Sequence, residues 1–135
     1  MYRDPKELKV FAVADGLAYE LHQAGRPWAR EVHGHLLERL HRAVLAPALH
    51  ILDACRQPGT EAFTGGLQSA QRAAEEARYL LDLGQRVGLL AEEEAKALED
   101  RALHLVKSLA WLIRYQRERD QKRAEAMVAA DGDLD

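Results

Sequence analysis

The chain contains one cysteine, four prolines, a 6% share of aromatic residues and no long uncharged apolar run. Each shortage excludes something. Cys55 has no second cysteine to pair with, and Met1-Tyr2-Arg3-Asp4-Pro5 opens no apolar leader, so a secreted, disulfide-built fold is not expected and the cytoplasm is. A membrane helix needs roughly 20 apolar residues, whereas the richest stretch, Ala43 to Leu52, is interrupted by Pro47 and His50. Only four prolines and nine glycines punctuate the chain, while Ala, Leu, Glu and Arg dominate, a composition that favours long helices over strands. No second Glu-x-x-His accompanies Glu38-Arg39-Leu40-His41, so a di-metal bundle lacks half of its ligands. No Gly-rich loop follows a strand, and Cys55 sits on an apolar stripe as a small core residue would, which removes the usual signs of nucleotide hydrolysis and nucleophilic catalysis.

What is present is helical periodicity. Of the 135 residues, 47% are hydrophobic and 30% charged, enough for one domain with its own core. Phe63, Leu67, Ala70, Ala74, Ala77, Leu81 and Gly84 recur at three-four spacing, as do Ala95, Leu98, Ala102, Leu105, Leu109 and Leu112. Such stripes each need a partner helix to cover them. The spacing and punctuation predict an all-α, up-down four-helix bundle over residues 1–130, with helices at about 5–24, 27–55, 60–87 and 91–128 and a disordered tail at 131–135.

The first helix opens at Pro5 and is expected to bury Leu8, Phe11, Ala14, Leu17 and Leu21. The second opens at Pro27 and carries Leu37, Leu40, Val44, Pro47, Ile51 and Cys55 on one stripe, with a kink expected near Ala43 to Pro47. Leu45, Leu49 and Leu52 flank that stripe, an arc too wide for one neighbour to cover. Thr60 is read as the cap of the third helix, and its small seam residues predict tight packing against the fourth. Glu92, Glu93 and Glu94 place negative charge at the start of the fourth helix, where the dipole favours it. From Arg114 to Arg123 that helix has almost nothing to bury, so an overhang of two or three turns, roughly 10 to 15 Å, is expected.

The net charge of −3 conceals a segregation. Residues 26–56 carry +2 and residues 101–123 carry +5, while residues 57–100 carry −5. Arg26, Arg30, Arg39 and Arg42 on the second helix, and Lys107, Arg114, Arg117, Arg119, Lys122 and Arg123 on the fourth, are the candidate nucleic-acid or polymerase-binding residues. His33, His35 and His41 would add charge beside a polyanion. The plainer reading is a solvated face laced with Glu–Arg pairs. Trp28 and Trp111 offer stacking surfaces for bases, but beside apolar neighbours they read first as packing anchors.

Four segments together resemble one family: Arg26-Pro27, Leu37 through Ala43, Leu80-Leu81 through Leu89-Leu90, and Lys107 through Ile113. The chain is similar to the four-helix bundles that include proteins encoded in 23S ribosomal RNA intervening sequences and Avd, the accessory variability determinant of diversity-generating retroelements. It lacks the Asn-Ile-Ala-Glu-Gly run of the intervening-sequence branch, having His50-Ile51-Leu52-Asp53-Ala54 instead, and Trp111 late in the fourth helix is closer to Avd. The resemblance implies a homopentameric barrel without cofactor or metal. It assigns binding rather than catalysis to the basic residues, with a reverse transcriptase and its template RNA as partners in mutagenic complementary-DNA synthesis. The intervening-sequence branch implies instead an interaction protein of unknown partner that binds no nucleic acid. The sequence pI near 6.1 departs from the strongly basic Avd pattern, which leaves three alternatives: contacts confined to the patches on the second and fourth helices, the polymerase as main partner, or loss of nucleic-acid binding altogether.

Overall fold

The computed structural model describes residues 3–24 and 33–133. The expected helix start at Pro27, Trp28, and the candidates Arg26 and Arg30 lie outside the described residues. Among those described, regular structure is entirely helical: a 3-10 turn Pro5–Glu7, then α1 (Lys9–Ala24), α2 (Gly34–Cys55), α3 (Thr60–Arg86) and α4 (Glu92–Asp133). None of these helices is long and apolar enough to cross a membrane.

The four helices form an antiparallel bundle in which each touches its two sequence neighbours around the ring, α4 closing on α1, while the diagonal pairs stay apart. The short α2–α3 and α3–α4 connections leave room only for antiparallel neighbours. Two apolar clusters stack along the axis. One joins Val10, Ala14, Ile51, Cys55, Phe63, Leu67, Leu105 and Leu109; the other joins Leu17, Leu21, Leu40, Val44, Leu81, Leu89, Leu90 and Leu98. Each fully buried leucine contributes about 1.5–3 kcal/mol, against about 0–1 for an exposed ion pair. The clusters therefore hold the bundle, and the half-exposed pairs Arg78–Glu75 (3.3 Å), Arg86–Asp82 (2.9 Å) and Arg101–Glu20 (2.6 Å) add little.

Local chemistry sets the helix ends. The Asp4 carboxylate accepts from the Lys6 N–H at 3.0 Å and Pro5 sits in the first turn, but the extended Leu8 (φ −91°, ψ 122°) interrupts the chain before α1 starts at Lys9. That break shifts the buried face of α1 to Val10, Ala14, Leu17, Ala18 and Leu21, leaving Leu8 and Phe11 half-buried at its edge. The expected α2 stripe is buried throughout, and the helix runs on through Pro47 without dividing. α3 closes in a Schellman turn: Gly88 at φ +83° lets its N–H reach the Gln85 carbonyl at 3.1 Å and the Leu89 N–H reach Gly84 at 2.8 Å. At its other end Gly59 (φ +80°) is the N-cap, and Thr60, expected as the cap, lies inside the helix and donates to Asp120 Oδ1 at 3.3 Å.

Two expectations for α4 are corrected. Trp111 is 61% exposed rather than a packing anchor, because the buried stripe passes through Leu109 and Ile113, and a residue midway between them points away from the core. The expected disordered tail at 131–135 is helical over 131–133, and its last two residues lie outside the described residues. Ala124, Ala126, Ala129 and Ala130 are strong helix formers, and propagation from an existing helix escapes the cost of nucleation.

Candidate nucleic-acid interface

The candidate basic residues separate into two patches on diagonal helices. Arg39 and Arg42 project from the first half of α2, beside the cluster that contains Leu37, Leu40 and the α3–α4 connection. That end of the bundle also carries Glu92, Glu93 and Glu94 in the first turn of α4, which lowers its attraction for an anion. Arg114, Arg117, Arg119, Lys122 and Arg123 lie at the opposite end, all exposed, on the part of α4 beyond the last buried residue, Ile113. Lys107 stands apart from both, lining a groove of about 630 Å³ between the start of α1 and α4 with Lys9, Val13, His104 and Trp111.

The α4 patch is the better built. Arg119 and Arg123 line a cavity of about 380 Å³ with Arg3, Gly59, Thr60, Gln116 and Asp120. Arg3 is the contribution that sequence reasoning missed. Its backbone N–H donates to the Cys55 carbonyl at 3.1 Å and its guanidinium lies 3.9 Å from the centre of the Phe63 ring, which fixes it over the α2–α3 turn. No periodicity could have signalled this, since Arg3 precedes the first helix. α3 begins here without a side-chain cap, so its first N–H groups add partial positive charge. Asp120, bonded to Thr60, offsets part of it. Arg114 and Arg117 border a neighbouring groove with Gln68, Gln71 and Gln121.

The plainer sequence reading had these residues laced into Glu–Arg pairs. The pairing falls elsewhere, on Arg78, Arg86 and Arg101. Among the described residues none of Arg39, Arg42, Lys107, Arg114, Arg117, Arg119, Lys122 or Arg123 is held in an ion pair.

Other chemistry is sparse. Glu38 is exposed and His41 packs edge-on against His22, ring centres 4.3 Å apart, so the Glu-x-x-His pair is divided between solvent and a ring contact. No group of three or more His, Cys, Asp or Glu converges among the described residues. Burial pushes the Cys55 thiol up, with Arg3 opposing and Asp4 reinforcing the shift, so the thiol is kept protonated rather than poised as a nucleophile.

Fold and surface thus define a four-helix bundle with a helical extension whose first turns are basic. No protein-family model matches the sequence, and no curated protein matches it either.

Proposed function

We propose that this protein is a non-enzymatic accessory protein of the Avd-like kind, a cytoplasmic ring of bundles that holds a reverse transcriptase on its template RNA during mutagenic complementary-DNA synthesis. The observation that carries the reading is the set of arginines on α4 that no carboxylate holds in an ion pair, gathered where the helix has left the core. Unpaired arginines on a helix face attract phosphates and release counterions on contact, so affinity falls steeply with salt. The outward leucines Leu45 and Leu49 supply an apolar face for ring assembly. The resemblance supplies the identity of the partners.

The test is binding of the whole protein to a structured RNA, and to a reverse transcriptase encoded beside its gene, at low salt. Arg114→Glu with Arg117→Glu should weaken both by tenfold or more. Arg39→Glu with Arg42→Glu should do less, because Glu92 to Glu94 already depress the potential at that end. Binding that ignores the α4 reversal ends the site assignment; absence of binding to either partner ends the reading. The exposed Leu45 and Leu49, together with the net charge of −3, favour as second reading an interaction bundle that assembles with proteins alone. It predicts an oligomer indifferent to RNA.

A further inference from the structure

Beyond Ile113, α4 has no fully buried residue among those described, and its charge is polarised along its length. Residues 114–123 hold five basic residues, Arg114, Arg117, Arg119, Lys122 and Arg123, against Glu118 and Asp120, a net of +3. Residues 124–133 hold Glu125, Asp131 and Asp133 and no basic residue, a net of −3. One extension cannot bring its two halves together. Two antiparallel extensions do so twice, by symmetry, whereas a parallel pair sets like charge on like.

The extension also carries a seam for such pairing. Trp111, Tyr115, Glu118, Lys122, Glu125 and Ala129 follow one another at alternating four-three spacing, all exposed and all on the side of α4 turned away from Leu109 and Ile113. Its aromatic end is preorganised, since Trp111 and Tyr115 stack with ring centres 5.2 Å apart and planes within 9° of parallel. In the register that sets Lys122 opposite Glu125 of a second copy, the basic half of each extension faces the acidic half of the other, and Tyr115 of each chain lies over Gly132 of the other. A large side chain then meets a small one, and two ion pairs form at the centre. We infer that the α4 extension is a self-association element, on which two copies of this chain pair antiparallel over Arg114 to Gly132, a span of roughly 27 Å at 1.5 Å per residue. An interface of one helix against another is small, so the pairing is weak and sensitive to salt. It stands independently of the polymerase reading, although both draw on the same arginines.

Two charge variants of the whole protein test it without RNA present, every protein compared, the one with wild-type α4 included, carrying Leu45→Glu with Leu49→Glu so that the α2 face contributes no association. The first, Glu125→Lys with Asp131→Lys and Asp133→Lys, makes both halves of the extension basic. The second, Arg114→Glu with Arg117→Glu, makes both halves acidic. Protein with wild-type α4 immobilised at low salt should retain itself. Each variant should retain itself at least tenfold less, and the first variant should retain the second at wild-type level. That rescue on mixing separates the pairing from misfolding, which no second protein would repair. The inference is overturned if the protein with wild-type α4 does not retain itself, if the first variant retains itself as well as it retains the second, or if the two variants do not retain one another.

Discussion

Single residues show how finely the bundle is fitted, and the paired glycines of α3 show it most sharply. A methyl group at Gly66 would lie 2.5 Å from the Ala54 Cβ and 2.9 Å from its Cα, so the backbones of α2 and α3 approach as closely there as a missing side chain allows. A methyl at Gly65 meets nothing within 4 Å. Gly65→Ala should therefore stabilise the protein by about 0.5–1 kcal/mol through helix propensity. Gly66→Ala should destabilise it by about 1–2 kcal/mol, the overpacking exceeding the same propensity gain. Urea titration of the two variants reads the opposite signs directly. Glu99 supplies a pH dependence. Burial raises its carboxyl pKa, Asp82 and Asp100 add to the shift and Arg78 opposes it. The native state thus binds this proton more tightly than the unfolded chain, whose value lies near ~4.3. The resulting cost is fully present above the native pKa and disappears as pH falls through it and past the unfolded value. Glu99→Gln should raise the urea midpoint slightly at pH 7, and the two proteins should converge near or below pH ~4. A constant difference across that range would show that the charge is not its cause.

At the scale of elements, legibility depended on whether a helix obeys its own periodicity or answers to something distant in sequence. The α3 seam from Phe63 to Gly84 is buried residue for residue, because three-four spacing maps directly onto one face of a helix with neighbours on both sides. The wide apolar arc of α2 was legible too, and its surplus appears as the exposed Leu45 and Leu49. The first helix was less so: the Leu8 break resets its phase, and a break depends on dihedral angles that composition does not display. In α4 the buried stripe ends on Ile113 with Leu112 half-buried beside it, and Trp111 turns outward, a difference of one or two positions on a cylinder. The overhang was visible as an absence of apolar residues, but its helical course to Asp133 rests on propagation through the alanines. The basic cavity was the least legible feature. Arg3, the Gly59–Thr60 turn and Arg119 are brought together only by the fold, and no local pattern links residues so far apart.

For the whole molecule, the core and the surface make different statements. Inside, the two stacked clusters engage all four helices and leave α2 with more apolar surface than its own chain covers. Outside, charge collects at opposite ends of diagonal helices, so one protomer offers a polyanion only separated patches. On the proposed reading, a ring of protomers would repeat the α4 patch around an axis and multiply its field, and a chain of net charge −3 would then attract RNA. On that reading assembly would be a condition of function, and the leucines that α2 turns outward would be the face on which it depends. Leu45 is 43% exposed and Leu49 53%, so each has surface left to bury. Covering that surface contributes on the order of 1 kcal/mol per leucine in each protomer, and a closed ring repeats the gain at every interface. Leu45→Glu with Leu49→Glu should leave helix content and thermal unfolding of the bundle intact, because neither side chain belongs to the two core clusters. At a salt concentration that screens the α4 pairing, light scattering should fall from a multiple of the protomer mass to 15.2 kDa. RNA affinity should fall with it, even though every arginine of the α4 patch is still in place. A variant that is monomeric yet binds RNA as tightly as wild type would separate assembly from binding and leave the patch to act alone.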